Sequence, residues 1–329
     1  MRLKEFISAH SFATLITHGD SIHLSHLNFI MDEDDEEYLY GHLAFSNQQK
    51  FDFSGKTEAI VVFSRDDHQL KSDEPFACFV HGRVERIDDP IQKKKFFSEL
   101  IARYEPPSEA DWSIDWQDTR YLQMMDSVIF FAVKINSIKY QLGSELNESL
   151  EAGKKDLYSA CIQMSARGAQ PEQYPVYIPR AFYEGDKERL LEFIKHKNIA
   201  LALLYNQTDF FARYINLSKT EDMKTLWSSS FAEVPEDTKV LLVLKGPHCY
   251  ISPRFYHTRF NVPTWNYTMV YVEGRLSSQQ FEPTHVFGKF KLSQNRATDD
   301  KASVCKHLSE SADEMDRETA HCMRQLGMK

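Results

Sequence analysis

Short apolar runs of strand length recur along this chain, separated by acidic, Gly and Pro positions, and they recur in the same order twice. Leu3-Lys4-Glu5-Phe6-Ile7 matches Leu190-Leu191-Glu192-Phe193-Ile194, each opening a helix that leads into an apolar strand. Phe12-Ala13-Thr14-Leu15-Ile16 corresponds to Ile199-Ala200-Leu201-Ala202-Leu203, and Leu27-Asn28-Phe29 to Ile215-Asn216-Leu217. Ile60-Val61-Val62-Phe63 pairs with Leu241-Leu242-Val243-Leu244, and Val80-His81-Gly82-Arg83-Val84 with Val272-Glu273-Gly274-Arg275-Leu276. Runs of this kind read as buried strands, and an ordered set of matches predicts a tandem duplication. Each unit reads as a small β-barrel with helices packed outside, so the expected class is mainly β with peripheral helices, an α+β fold. The predicted units span 1–148, shortened at its start, and 174–329, shortened internally, with a helical linker over 149–173.

Helical periodicity is confined to a few stretches. Gln92 to Tyr104 carries the stripe Phe96, Phe97, Leu100 and Ile101, one face of a helix that Pro106-Pro107 ends. Ser149 to Arg167 is a second helical stretch, running into Gly168-Ala169-Gln170-Pro171. Thr298-Asp299-Asp300 reads as an N-cap with acidic first-turn residues, opening a final helical tail.

Composition narrows the class. With 42% hydrophobic and 26% charged residues over 329 positions, the chain suits a globular protein of two domains. No apolar run has the length needed to cross a bilayer, and the start lacks the features of a secretory signal. Five scattered cysteines without a Cys-x-x-Cys pair fit reduced thiols in a cytoplasm. The net charge of −9 argues against direct DNA binding. Lys93-Lys94-Lys95 reads as a solvated helix face, and the acidic run Asp32 to Glu37 as a solvated hairpin loop. His18, His23 and His26 have the look of a metal cluster, but on an extended strand His23 and His26 point to opposite faces, so no metal site is expected.

Candidate chemistry concentrates in the second half. In Val262-Pro263-Thr264-Trp265-Asn266-Tyr267 a flat aromatic sits beside short amides and hydroxyls, which suits a planar polar ligand. In Lys289-Phe290-Lys291-Leu292-Ser293-Gln294-Asn295-Arg296 the lysines and short polar side chains suit an anion such as a phosphate. The bland readings stand beside these. Alternation puts Trp265, Tyr267, Met269 and Tyr271 on one strand face, which fits a barrel core. Lys289, Lys291, Ser293 and Asn295 alternate too, which also fits a solvated edge. His42 precedes a strand-to-helix corner at Ser46-Asn47, a phosphate cradle or a plain N-cap. Ser252, before Pro253, either caps a loop over a ligand or is a turn residue.

These segments, with Ile251-Ser252-Pro253-Arg254-Phe255-Tyr256, resemble the PaiB-like family of FMN-binding negative transcriptional regulators, a branch of the split barrels related to pyridoxamine-phosphate oxidase. The resemblance covers most of both halves, through three motifs in the second and looser wording in the first. Val176-Tyr177-Ile178-Pro179-Arg180-Ala181-Phe182 resembles the family's opening and exists in the second unit alone. Tyr40-Gly41-His42-Leu43-Ala44-Phe45-Ser46-Asn47 resembles its Gly-His segment and exists in the first alone; its place in the second unit is taken by Thr225 to Phe231. The first unit's counterpart of the lysine motif is degraded to Lys139-Tyr140-Gln141-Leu142-Gly143-Ser144-Glu145.

Split-barrel flavoproteins hold each FMN in a cleft between two protomers, so the resemblance implies two fused split-barrel units folding as an intramolecular pseudo-dimer. Losses on opposite sides of the two copies then leave one composite cleft, with one FMN per chain, or no site at all. The residues implied in binding the flavin are His42, Ser46, Asn47, Ser252, Thr264, Trp265, Asn266, Lys289, Lys291 and Ser293. The implied role is a flavin-linked regulatory protein, a monomer acting as a pseudo-dimer or a homodimer of it. The alternatives are a flavin-dependent oxidoreductase of the pyridoxamine-phosphate oxidase type and a ligand-free interaction module.

Overall fold

A computed structural model describes residues 3–31, 36–66, 69–71, 73–105, 114–147, 175–206, 209–217, 238–258, 260–277 and 280–328. The predicted linker 149–173, the segment Thr225 to Phe231, Pro106-Pro107, Cys161 and the start of the acidic run, Asp32 to Asp35, lie outside the described residues.

The first half opens with helix α1 (Leu3–Ala9) and strands β1 (Phe12–His18), β2 (Ile22–Asn28), β3 (Ile30–Met31) and β4 (Tyr38–Ala44). Strands β5 (Ser54–Ser64) and β6 (Pro75–Ile87) follow, then α2 (Pro90–Tyr104), α3 (Thr119–Asp126), β7 (Val128–Leu142) and the short α4 (Ser144–Asn147). The second half runs β8 (Tyr183–Glu184), α5 (Lys187–Lys195), β9 (Ile199–Tyr205), β10 (Phe210–Asn216), β11 (Lys239–Ile251), β12 (Thr264–Ser277) and β13 (Gln280–Lys291), ending in α6 (Thr298–Ser309) and α7 (Glu314–Gln325).

The strands form two antiparallel sheets whose orders expose the duplication: β2-β1-β5-β6-β7-β4-β3 in the first and β10-β9-β11-β12-β13-β8 in the second. Five strands occur in the same order in both, and each of the matched sequence runs falls on corresponding elements. Register agrees as well, since Phe12 pairs with Asn28 as Ile199 pairs with Asn216. A shared irregularity marks both copies. The pairing of β6 with β7 shifts at Gly82 and that of β12 with β13 at Gly274. A Cβ at either glycine would fall on the cross-strand carbonyl oxygen, of Lys134 or of Glu282, which is why both copies keep a residue without one.

Each sheet is buried on both faces, so its central strands read as continuous apolar runs. In β1, Ala13 and Leu15 join the first unit's own core with Phe63, Val80 and Phe131, whereas Phe12 and Ile16 face the other unit. In β9, Ala200, Ala202 and Leu204 join the second unit's core, to which α6 and α7 add Val304, Leu308 and Met323. Ile199, Leu201 and Leu203 face the first unit instead. The core between the sheets therefore belongs to both halves. Trp265, Tyr267, Met269 and Tyr271 do share one face, but that face packs against the partner unit and not inside their own barrel.

The two units are related by an approximate two-fold axis. Lys245 and Ser64 are equivalent positions in the repeat, and they touch across the interface, Lys245 Nζ donating to the Ser64 carbonyl at 3.2 Å. His26 on β2 hydrogen-bonds Tyr271 on β12 at 2.8 Å; the equivalent pair, Tyr214 on β10 and Phe79 on β6, meets edge-on at 6.4 Å.

Local signals hold with two differences. Helix α2 starts at Pro90, earlier than expected, because Asp89 caps it and Pro suits the first turn; it buries Phe96, Phe97 and Leu100 and leaves Lys94 and Lys95 exposed. Helix α6 is capped at Ala297, not Thr298, with no side-chain cap bond. Its Asp300 instead accepts hydrogen bonds from the backbone of His257 and Thr258 at 2.8 and 3.1 Å.

Candidate functional site

A cavity of about 500 Å³ opens between the two units. The first unit contributes Ser25 to Asn28 at the end of β2, His42 to Ala44 at the end of β4, Asn47, and Leu100 and Tyr104 of α2. The second contributes Tyr177, Pro179 and Phe182 from the segment before β8, Tyr250 of β11, Val262 to Trp265, Tyr267, Lys289, Lys291 and Asn295. The segment carrying Tyr177 crosses onto the first unit: Leu24 N–H donates to the Pro175 carbonyl at 2.8 Å, Val176 bridges to Leu24, and Tyr177 Oη meets Ser46 Oγ at 2.6 Å.

The lysines sit on the wall given by β13. This strand is paired on both sides, by β12 and β8, so the solvated-edge reading of Lys289 and Lys291 does not hold. The alternation ends with the strand: Ser293 lies past it, in a turn with φ +66°. Lys289 is 6% exposed and donates to the Tyr177 carbonyl at 2.7 Å. Lys291 donates to Thr264 Oγ1 at 2.9 Å. Neither pairs with a carboxylate among the described residues, and none of the cavity-lining residues is acidic. Burial, and then the neighbouring cation, pulls Lys289 down to about 7 and Lys291 down to about 8.

Three cavity residues hold buried polar atoms without a hydrogen-bond partner: Asn28 Oδ1, His42 Nδ1 and Trp265 Nε1. The His42 ring is wedged against Phe97 at 5.6 Å and Phe96 at 6.0 Å, and burial, with a lesser effect from Lys291, lowers it to about 4. It is therefore neutral at ordinary pH. His26, deeper, bonds Thr14 Oγ1 at 3.0 Å and Tyr271 Oη at 2.8 Å, and burial holds it at about 3. Trp265 stacks on Phe12 at 5.5 Å and 9°, with Tyr104 and Tyr250 edge-on at 5.5 and 5.9 Å. One face of the indole is thus already covered by protein.

Of the residues singled out from sequence, His42, Asn47, Thr264, Trp265, Lys289 and Lys291 line one cavity. Ser46 braces its rim through Tyr177. Asn47 is spent on structure, accepting from Gln49 N–H at 3.0 Å and donating to Ser25 Oγ at 2.8 Å. Ser252, Asn266 and Ser293 are not among the lining residues. Ser252 caps the turn Pro253–Phe255, and Asn266 and Ser293 bond each other, at 3.0 Å through the amide nitrogen, beside α7. Asn266 alternates with Trp265 and Tyr267, which line the cavity, so its side chain faces the second unit's own core. Of the three histidines, His18 stacks on Phe210 and His23 pairs with Asp52. Sequence reading passed over Tyr104, Tyr250 and Asn28 as site residues and weighed His26 only as a metal ligand. Asn28 was within reach, because it sits in a repeated triplet; the others depend on the docking of two distant elements.

Comparison with known proteins fits this architecture. A family model described as "Putative FMN-binding domain" matches residues 1–73 and 176–325, well over half of the chain and both of its halves. The chain belongs to this family. It is an FMN-binding split-barrel protein of the PaiB-like kind, built from two tandem units. Protease synthase and sporulation protein PAI 2 of Bacillus subtilis (strain 168) is 32% identical over 113 residues, covering 31% of this chain and 53% of that protein. The chain thus spans about half the length of this curated relative. Among solved structures, General Stress Protein 26 from Bacillus anthracis is 19% identical with a TM-score of 0.28, over 43% of this chain and 94% of its own. The conserved hypothetical protein Rv2991 from Mycobacterium tuberculosis is 13% identical with a TM-score of 0.35, over 46% and 90%. Among the described residues no helix is long and apolar enough to cross a membrane.

Proposed function

We propose that the cavity between the units is the FMN site, that each chain holds one flavin there, and that the protein is a flavin-linked regulator. The observation that carries the site is a pair of lysines, Lys289 buried and Lys291 half-buried, that no carboxylate meets among the described residues: two desolvated amines facing one cavity are completed by an anion, and FMN brings a phosphate. Lys289 and Lys291 hold that phosphate. Asn28, His42 and Trp265 offer the unpaired acceptor, ring nitrogen and N–H that the polar edge of a flavin requires. Tyr104, Tyr250 and Trp265 give an aromatic wall. When bound, the flavin supplies hydride and electron chemistry; the chain binds it, orients it and excludes water.

The stoichiometry rests on the opposite, pseudo-equivalent cleft. Gln141 pairs with Ala77 in register as Lys289 pairs with Met269, so glutamine replaces a cavity lysine there. Its amide closes on the Tyr214 backbone, donating at 2.8 Å and accepting at 3.0 Å. Asn216, the counterpart of Asn28, donates to the Leu146 carbonyl at 3.0 Å, and Leu146 of α4 is 2% exposed. Polar groups left open on one side are satisfied by protein on the other. The regulatory reading follows PaiB, and the net charge of −9 favours action through a partner rather than on an operator.

The test is the visible spectrum of purified protein, followed by release and quantification of FMN. One FMN per chain is expected, with affinity lowered at least about ten-fold in Lys289→Met or Lys291→Met, as expected for losing a charge-assisted contact. Two flavins per chain overturn the single site, and failure to take up added FMN overturns the site altogether. Steady turnover of a nicotinamide cofactor favours an oxidoreductase over a regulator.

A further inference from the structure

The geometry points to a second chemistry in the same cavity: we propose that, in the flavin-free protein, Lys289 is a carbonyl-reactive amine that condenses with small phosphorylated aldehydes. Its side chain is 6% exposed yet lines a cavity of about 500 Å³, so a small molecule reaches it although bulk solvent scarcely does. Its fixed partner is a carbonyl, that of Tyr177, which accepts one N–H and orients the amine. Among the described residues no carboxylate, the group that holds most buried lysines in the ammonium form, lines the cavity wall. Burial beside a second cation favours the neutral, nucleophilic form.

Lys291 makes the site selective. It is anchored to Thr264 and is pulled down less far than Lys289, to about 8 against about 7, so it keeps more of its proton at a pH where Lys289 has lost it. A phosphate on the aldehyde is held by Lys291 while its carbonyl faces Lys289. The Lys289 nitrogen attacks the carbonyl carbon, a C–N bond forms, and a proton passes from nitrogen to oxygen. The C–O bond then breaks as the hydroxyl takes the second nitrogen proton and leaves as water, giving an imine without any change in oxidation state.

This inference rests on the reading of the cavity as the FMN site in one respect, that FMN blocks the reaction. The full-length, flavin-free protein is incubated at pH 8 with glycolaldehyde phosphate, reduced with cyanoborohydride and mapped by peptide mass spectrometry. Expected is labelling of Lys289 at least about ten times faster than that of exposed Lys195, several-fold less with propanal, and none at this position in Lys289→Arg. Lys291→Met abolishes the preference for the phosphorylated aldehyde. Labelling of Lys289 no faster than of Lys195, or preferential labelling of Lys291, overturns the proposal. If Lys289 reacts equally in protein whose spectrum shows bound FMN, the amine proposal stands and the placement of the flavin falls. If the flavin-free protein fails to react yet takes up one added FMN per chain, the reverse holds.

Discussion

Two lysines and a tryptophan carry most of the site's physics. Lys289 and Lys291 lose their protons near 7 and 8 in the flavin-free protein. An anion binds their protonated forms, so affinity for FMN falls as pH rises from 7 to 9, because protons must be taken up on binding. Titration by flavin fluorescence quenching should show this, and Lys291→Arg, charged throughout, should flatten the profile. Trp265 has two roles at once: it lines the cavity and packs on Phe12, Tyr104 and Tyr250. Trp265→Ala is therefore expected to weaken FMN and also to lower stability by about 3 kcal/mol, at the low end for such truncations because one side already faces open space. Chemical denaturation with and without FMN separates the two effects.

At the scale of elements, the end of α2 is tied to the second unit directly over the cavity. Glu105, buried at the C-terminus of that helix, accepts from Tyr250 Oη at 2.8 Å and pairs with Arg254 at 3.1 Å. The preceding Tyr104 stacks on Tyr250 at 4.9 Å and hydrogen-bonds Ser11. Removing the charge by Glu105→Gln weakens the pair with Arg254 and loosens the aromatic wall. FMN release, followed by stopped-flow fluorescence, should accelerate about five-fold or more, about 1 kcal/mol, with the far-ultraviolet spectrum unchanged. Across the axis, Gln141→Lys places an unpaired charge where the amide now satisfies Tyr214. It is expected to lower the midpoint of thermal unfolding without adding a second flavin, since Leu146 still fills that cleft.

The whole molecule behaves as one body because the core between the sheets draws on both halves. Phe12, Ile16, Val62 and Phe79 pack with Leu201, Leu241, Met269 and Tyr271. Calorimetry should show a single transition that FMN shifts upward. In that body burial pulls four histidines well down, fully buried His26 to about 3 and half-buried His10, His42 and His248 to about 4. Unfolded histidine titrates near 6.5, so between 6.5 and 4 the unfolded chain binds more protons than the folded one. Their contribution to stability is complete above 6.5 and lost as pH falls toward 4. A thermal midpoint that does not decline across this window would contradict the burial of these rings.

The amino-acid sequence by itself determined the duplication, the strands and the cavity lysines. Apolar runs, paired glycines and alternation are local consequences of burial and of the β-bulge, and they survive in the wording of both copies. It also carried the opposite losses in the two units, through the opening segment before β8 and the Gly-His segment of β4. Tertiary structure decided the rest. Alternation separates Trp265 from Asn266 but does not say which of two buried faces meets the other unit, so Asn266, Ser252 and Ser293 were grouped with a site they do not line. Tyr104 and His26 join Tyr250 and Lys289 around one cavity only when α2 and β2 of one unit dock against β11 and β13 of the other. That docking is fixed by complementary surfaces far apart in the chain, and no local pattern encodes it.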